Sequence, residues 1–231
     1  MTPLPDAAAL AALRLAGVED ALAVRLAVYA ALVLAANRRL NLTGAKDGTA
    51  FAAHLADALT LAADVAGPLI DVGSGNGVPG IPLALATGVR VTLLEPIKKR
   101  ATFLAGTLAQ LGLDGEAVAG RAEDVARDPA YREQFGTATA RAVSTAPTVA
   151  ELTVPFLAPG GRALLQRGSL DAQERNAVSD AALVLGAELV EERPLDGERR
   201  ILVLEKRAPT SLRFPRKNGI PAKRPLCVSI R

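Results

Sequence analysis

Residues 69–80 read LIDVGSGNGVPG. A short apolar run from Leu69 to Val72 leads into glycines at positions 73, 75 and 77, and Pro79 stands where a helix would begin, a position that proline tolerates. Glycine permits a tight turn and lets a ligand lie against bare backbone, and the first turn of a helix offers unpaired N–H groups. The stretch predicts a strand, a ligand-binding loop and a helix.

Two classes of ligand compete for this loop. Residues 75–80 fit GxGxxG, the dinucleotide pattern. Asp71-x-Gly73-x-Gly75-x-Gly77 instead fits the pattern of S-adenosylmethionine sites, which starts where the strand ends. The sulfonium and amino groups of S-adenosylmethionine attract a carboxylate, whereas a pyrophosphate is repelled by one, so Asp71 favours S-adenosylmethionine. A glycine turn without a ligand is the third interpretation.

Strands and helices alternate on the C-terminal side of the loop. This alternation predicts a mostly parallel sheet with helices on both faces. The last two strands are joined by Pro194-Leu195-Asp196-Gly197, which is too short for a helical crossover, so they must be antiparallel. The predicted strands are 69–72, 90–95, 116–119, 138–143, 162–166, 187–192 and 199–205, and the helices between them lie near 79–87, 97–111, 147–157 and 170–185.

Three helices are predicted on the N-terminal side, at residues 6–16, 19–39 and about 49–66. The 231 residues suit one α/β domain with extensions. We therefore predict an N-terminal helical extension packed on the core over 1–66, the core domain over 67–207 and a tail over 208–231. The layout of seven strands with a final antiparallel hairpin is that of class I S-adenosylmethionine-dependent methyltransferases, a Rossmann-like α/β fold.

Charge is unevenly distributed along the chain. Residues 206–231 contain eight basic residues and no acid, which leaves −5 for residues 1–205 out of a net charge of +3. A basic tail on an acidic body indicates an anionic partner. The tail's proline and glycine spacing predicts an extended segment.

Few residues are available for metal or disulfide chemistry. The only cysteine is Cys227 and the only histidine is His54, so we predict neither a disulfide nor a metal site, as is typical of a cytoplasmic protein. The most membrane-like stretch, 21–36, is short, rich in alanine and interrupted by Arg25, which favours a helix of a soluble protein over a membrane span. The N-terminus has no signal-peptide pattern.

Polar residues follow three further strands. Glu95 ends the second strand, where an acid accepts hydrogen bonds from both ribose hydroxyls of an adenosine cofactor. Ala122 and Glu123 follow the third strand, where they are predicted to meet the adenine base. Arg141 ends the fourth strand at the ligand crevice and is predicted to hold a substrate phosphate or the cofactor carboxylate. The alternative is a surface arginine whose aliphatic stem packs on the protein while its charge reaches solvent.

These residues together resemble one family. The chain is similar to the bacterial 16S rRNA (guanine-N7)-methyltransferases of type G, also called the glucose-inhibited division protein B family, from about Asn37 to Leu226. The motifs that carry the resemblance are Asn41-Leu42-Thr43, His54-Leu55-Ala56-Asp57, residues 71–82, Glu95-Pro96-Ile97-Lys98-Lys99-Arg100, Arg121-Ala122-Glu123, Arg141-Ala142 before Ser144, Asp196-Gly197-Glu198-Arg199 and the tail 214–226.

The resemblance implies methyl transfer from S-adenosylmethionine to N7 of a guanine in the 530 loop of 16S rRNA, in the small ribosomal subunit. Separately from the resemblance, we predict a monomer. The cofactor-binding positions that follow from the motifs and the resemblance are Asp71, Gly73, Ser74, Gly75, Gly77, Val78, Glu95, Ala122, Glu123 and Arg141. Three positions depart from the family pattern. The family often has Phe or Leu where this chain has Val78, and commonly has lysine where it has Arg167. Asn218 interrupts the usual Arg-Lys-Pro-Gly run of the tail.

The residues present agree with this chemistry. Guanine N7 carries a lone pair and no proton, so in-line positioning suffices without a general base, and we name no catalytic base. Residues predicted to contact RNA are Asn41, His54, Asp57, Arg141, Arg167, Arg216, Lys217, Lys223 and Arg224. Asn41 also suits the end of a helix. His54 and Asp57 are expected on the helical face opposite Phe51 and Leu55, where packing of the helices would explain the pair equally well.

Three rival functions remain open at this point. A ribosome-associated binding module would tend to lose Asp71 or a glycine of the loop. An oxidoreductase using NAD would need a Tyr–Lys or His proton relay, which is absent near the strand ends. A methyltransferase acting on tRNA, protein or a small molecule would keep the same cofactor residues, and the basic tail disfavours only the small molecule.

Overall fold

A seven-stranded sheet forms the centre of the protein. The computed structural model describes residues 3–141, 144–195 and 197–226. The strand order is β3-β2-β1-β4-β5-β7-β6, with β7 antiparallel to both of its neighbours and the other pairs parallel. This confirms the predicted class I fold with its final antiparallel hairpin. The strands are β1 Leu69–Val72, β2 Val91–Glu95, β3 Gly115–Ala119, β4 Phe135–Ala140, β5 Leu157–Arg167, β6 Ala187–Pro194 and β7 Arg200–Lys206.

Helices cover both faces of the sheet, each with its own hydrophobic core. One core lies between the sheet and the N-terminal helices, α4 and α5, and the other lies between the opposite face of the sheet and α7 and α8. The helices are α1 Ala7–Leu15, α2 Asp20–Leu40, α3 Gly48–Leu59, α4 Gly80–Thr87, α5 Lys98–Leu111, α6 Ala122–Val125, α7 Ala146–Thr153, α8 Ala172–Val184 and α9 Ile220–Lys223, with 3-10 turns at Ala62–Asp64 and Val154–Phe156.

Acidic residues begin each of the three N-terminal helices. The carboxylates of Asp6, Glu19 and Asp47 accept hydrogen bonds from N–H groups in the first turns of α1, α2 and α3. Among the described residues, α2 alone is long and apolar enough to cross a membrane. Its buried side chains, such as Leu26, pack against the other N-terminal helices and α5 in the core. That packing is what a core helix of a folded domain shows.

Several elements begin or end away from their predicted bounds. Strand β4 starts at Phe135 because Phe135 already pairs with Leu157, and residues 142 and 143 of the prediction lie outside the described part. The third helix, predicted to reach residue 66, ends at Leu59 and gives way to a 3-10 turn. Similarly, α7 ends at Thr153, before Pro155, which cannot donate a helical hydrogen bond.

The carboxyl ends of the parallel strands meet along one edge of the sheet. The chain reverses its direction of winding between β1 and β4, which are neighbours in the sheet. Ligands bind beside this switch point in open α/β sheets. Because β7 is antiparallel, its first residue lies at the same edge, opposite Arg167 at the end of β5. Residues after β1 to β5 and before β7 therefore surround one crevice.

Candidate functional site

The loop after β1 is supported from below by Asp71. Its side chain is buried, and its carboxylate accepts hydrogen bonds from the Gly80 N–H at 3.3 Å and the Thr139 hydroxyl at 3.0 Å. Burial raises the pKa of Asp71 to about 6. A side chain at position 80 would collide with Asp71 and Leu93, so glycine is required there. Asp71 connects the strand, the helix and the loop.

Tyr29 supports the loop from the other side. This buried residue of α2 donates its hydroxyl hydrogen bond to the Asn76 carbonyl at 2.7 Å. Gly77, with φ of +101°, lies against the hydroxyl, and a Cβ there would approach it to 3.0 Å. Burial raises the pKa of Tyr29 well above its ordinary value. Sequence reasoning missed Tyr29, although a tyrosine within an alanine-rich core helix was a signal.

Glu95 connects the loop to the second strand. Only 3% of the residue is exposed. One carboxylate oxygen accepts a hydrogen bond from the Gly75 N–H at 2.9 Å, and the other accepts from the Ile97 N–H at 2.8 Å. The carboxylate therefore lies directly beside the glycine loop, at the position predicted for a ribose contact.

A cavity opens beside Glu95 over the carboxyl ends of β1 to β4. It encloses about 620 Å³ of empty space, including its mouth. Its walls are mostly apolar, and Glu123, only 6% exposed, supplies a carboxylate. The lining residues are Val72, Gly73, Leu94, Pro96, Gly120, Arg121, Ala122, Glu123, Ser144, Thr148, Leu152 and Ala222. An apolar slot with few polar groups suits a planar base.

Two other predicted loop residues, Ser74 and Val78, do not line this cavity. The Ser74 hydroxyl is buried and donates to the Asp71 carbonyl at 2.8 Å. The Val78 side chain is buried in the core with Ile81, so it does not line the cavity. Gly73 is the loop residue that lines it.

A second pocket is lined by arginines, including Arg141. The carboxylate of Asp57 forms ion pairs with Arg141 at 3.6 Å and Arg199 at 2.5 Å. Arg167 lines the same pocket, donates to the Ser144 carbonyl and pairs with Glu174 at 3.1 Å. Three guanidinium groups therefore meet in one pocket, an arrangement that suits an anion.

The predicted face of His54 was wrong. Its ring lies edge-on to that of Phe51, with centroids 6.2 Å apart and planes 78° apart, so the two side chains share a neighbourhood on α3. They are three residues apart, which places them on adjacent positions of the helix surface. Burial and the positive charge of Arg141 lower the pKa of His54. The imidazole is therefore neutral at pH 7.

Asn41 ends α2 in the left-handed conformation, with φ of 49°. Its carbonyl accepts a hydrogen bond from Arg100 of α5 at 2.9 Å, which ties the end of α2 to the start of α5. The residue itself is exposed. Its role as a helix terminator is confirmed, and its contact with RNA stays a prediction.

The predicted extended tail was wrong for residues 208–226. Arg216 forms hydrogen bonds through its guanidinium and its backbone N–H with Glu151, which is fully buried. Arg132 holds the tail backbone at Thr210 and Phe214. Lys217, Lys223 and Arg224 are exposed. The tail folds back because its carbonyls and Arg216 find fixed partners, which sequence spacing does not reveal.

No group of three or more His, Cys, Asp or Glu within the described ranges is arranged to hold a metal. Cys227 and Asp196 lie outside those ranges.

This sheet order, with the glycine loop after β1 and acids at or just after the ends of β1 to β3, defines the class I S-adenosylmethionine-dependent methyltransferase fold. A solved structure of that class, the S-adenosylmethionine-dependent methyltransferase SibL, superposes with a TM-score of 0.55 at 16% identity, covering 74% of this chain and 62% of that chain.

The sequence comparisons identify the family. The sequence model described as rRNA small subunit methyltransferase G matches residues 23–203. The chain is 43% identical over 211 residues to the ribosomal RNA small subunit methyltransferase G of Rubrobacter xylanophilus, covering 85% of this chain and 81% of the relative. It is 40% identical over 207 residues to that of Synechococcus elongatus, covering 84% and 86%. The chain belongs to the rRNA small subunit methyltransferase G family.

Proposed function

We propose that this protein transfers the methyl group of S-adenosylmethionine to N7 of a guanine in the 530 loop of 16S rRNA, in the cytoplasm and as a monomer. One observation carries the proposal. An apolar cavity lined by the Glu123 carboxylate lies at the same edge of the sheet as a pocket containing Arg141, Arg167 and Arg199. A cationic adenosine cofactor suits the first, and a phosphate-bearing substrate suits the second.

The residues present fit S-adenosylmethionine. Glu95, at the edge of the loop, accepts hydrogen bonds from the ribose hydroxyls. The Glu123 carboxylate and the Ala122 backbone contact the adenine base in the apolar cavity. The loop backbone from Gly73 to Gly77 lies against the remainder of the cofactor. When bound, the cofactor supplies an electrophilic methyl group on a sulfonium.

Asp71 acts on the cofactor from a distance. Its carboxylate is buried beneath the loop and has protein partners, so it supplies negative charge under the loop rather than an open binding surface. Charge of this sign stabilises a bound cation in surroundings of low dielectric constant. The position of Asp71 explains why an acid suits the end of β1.

The arginine pocket orients the RNA. Arg141, Arg167 and Arg199 hold phosphate oxygens near the cavity, and the exposed Lys217, Lys223 and Arg224 of the tail contact more distant phosphates. Guanine N7 attacks through its lone pair, so the chain has only to align the base with the methyl group. The neutral His54 beside this pocket is not required to remove a proton, and the same holds for Asp57 in its ion pairs.

The decisive experiment supplies methyl-labelled S-adenosylmethionine together with 30S particles or protein-free 16S rRNA, both from cells that lack this activity. Nuclease fragments are then analysed by mass spectrometry. We expect the label on a guanine N7 in the 530 loop, and the more rapidly labelled form identifies the substrate. Label elsewhere in rRNA, or on tRNA offered in parallel, would overturn the assigned position while keeping the cofactor. A protein that binds no S-adenosylmethionine would overturn the proposal.

A further inference from the structure

The tail reaches the cavity beside the segment that follows β3. Residues 214–223 run from a buried Phe214 along α7 to the short helix α9. The buried Thr148 hydroxyl of α7 donates to the Pro221 carbonyl at 3.0 Å, and Asn218 donates to Asp124 at 2.7 Å. These contacts connect the tail to the segments that follow β3 and β4.

Two tail residues take part in the cavity itself. The Gly219 N–H donates a hydrogen bond to the Glu123 carboxylate at 2.9 Å, and Ala222 forms part of the cavity wall. Gly219 has φ of +77°, a conformation that glycine adopts without strain. The same cavity contains Pro96, which follows Glu95, and Ala122. The tail therefore borders the half of the crevice on the β2 and β3 side, away from the arginine pocket.

Arg216 and Glu151 join this part of the tail to α7. Glu151 is 0% exposed, and the side chain of Arg216 is 27% exposed. The guanidinium meets both carboxylate oxygens, with Nη2 to Oε2 at 2.6 Å and Nε to Oε1 at 3.0 Å. A buried carboxylate needs such a partner, and the two-pronged contact also sets the direction in which the tail leaves α7.

We propose that residues 216–223 form a wall of the adenosine half of the cofactor site, with Arg216 as a positioning residue. The Gly219 N–H orients the Glu123 carboxylate towards the base, and Ala222 limits the width of the slot. The proposal rests on S-adenosylmethionine being the cofactor, as proposed above. It gives the basic tail a role in cofactor binding separate from contacts with RNA.

The first test narrows the slot without disturbing the core. Ala222→Leu adds bulk at an exposed wall position, and Ala208→Leu makes the same change at an exposed tail residue outside the cavity. By calorimetry, we expect the dissociation constant of S-adenosylmethionine to rise about tenfold or more for Ala222→Leu, because added methylenes force a filled site apart, and to stay unchanged for Ala208→Leu. Equal affinities of Ala222→Leu and the unaltered protein, with equal melting temperatures, would contradict the proposal that residues 216–223 form a wall of the cofactor site.

The two proposals fail in different ways in this test. If the unaltered protein binds S-adenosylmethionine and Ala222→Leu binds it equally well, residues 216–223 do not form a wall of the site, and the proposed function stands. If the unaltered protein binds none, both are wrong. Methylation of rRNA is not needed for either conclusion.

The second test concerns the positioning role of Arg216. Hydrogen exchange of the amides in 214–224 is measured with and without S-adenosylmethionine, with α8 as the internal reference. We expect the cofactor to slow exchange at Gly219 several-fold and to leave α8 unchanged. Arg216→Gln should remove this protection and weaken cofactor binding about tenfold, Arg216→Lys should restore part of both, and Arg213→Gln, at an exposed arginine nearby, should change neither. Protection that survives in Arg216→Gln would overturn the assignment.

Discussion

The two halves of the crevice carry opposite charge because they are built from different strands. Carboxylates lie at or just after the ends of β1, β2 and β3 in the cofactor half, namely Asp71, Glu95 and Glu123. Arginines lie at the ends of β4 and β5 and before β7 in the other half, namely Arg141, Arg167 and Arg199. The sheet order puts the boundary between β1 and β4. The proposed function therefore predicts that cofactor and RNA are distinguished by charge across the switch point.

The largest expected effect is on the acidic half. Glu95→Ala removes the acceptor of the Gly75 and Ile97 N–H groups together with the predicted ribose contact. Hydrogen bonds to a charged group contribute about 1.5–3 kcal/mol, so we expect loss of the ribose contact to lower cofactor affinity about 100-fold in a calorimetric titration. Glu191→Ala, at an exposed acid on β6, is the matched control and should bind normally. Equal loss in both variants would contradict the assignment.

Arg141 tests where the boundary lies. Arg141→Ala removes a charge from the RNA half and leaves Asp57 with Arg199 as its partner. We expect kcat/KM for rRNA to fall about 10- to 100-fold, as for loss of a charged contact, while the dissociation constant of S-adenosylmethionine changes less than about threefold. Arg162→Ala, at an exposed arginine paired with Glu205, should change neither. A large loss of cofactor affinity in Arg141→Ala would move Arg141 into the cofactor half.

The pKa of Asp71 predicts opposite effects of pH on binding and on stability. Because its pKa is raised from 3.8 to about 6, lowering the pH from 8 to 5 neutralises it and should weaken cofactor binding several-fold. Between pH 6 and 4 the folded protein holds this proton more tightly than the unfolded chain, so the contribution of Asp71 to the free energy of unfolding increases as the pH falls.

This prediction is checked by calorimetry and thermal unfolding across that pH range. The measurements use a His54→Gln background, because the pKa of His54 is also shifted. Asp71→Asn in the same background should make cofactor affinity independent of pH. Affinity that rises on acidification in the protein with Asp71 would contradict the sign.

An effect of similar size is expected from losing the support of α2. Tyr29→Phe keeps the ring in the core and removes the hydrogen bond to the Asn76 carbonyl. A loss of about 0.5–1.5 kcal/mol corresponds to a reduction of about 2- to 12-fold in cofactor affinity. Tyr131→Phe, at the only other tyrosine, is the control, since that hydroxyl contacts Glu116 on β3. An unchanged affinity in Tyr29→Phe would show that the loop keeps its shape without α2.

Local sequence patterns were sufficient to predict most of the strands of the sheet. The predicted strand 69–72 matches β1, and the short connection after Pro194 led to the antiparallel hairpin that β6 and β7 form. Such elements are predictable because apolar periodicity and connection length act between near neighbours in the chain. The early start of β4 depends on pairing with Leu157, which lies far along the sequence and follows a different helix.

The sequence by itself determined the class of fold, the glycine loop, the acids beside it and the resemblance to a methyltransferase family, because each depends on residue types at short spacing. Only the tertiary structure decided that Tyr29 supports the loop, that Asp71 is buried beneath it, and that Arg216 pairs with Glu151 rather than remaining in an extended tail. The physical reason is that burial and pairing across 47 or 65 positions of the chain depend on packing. Spacing along the sequence carries no such information.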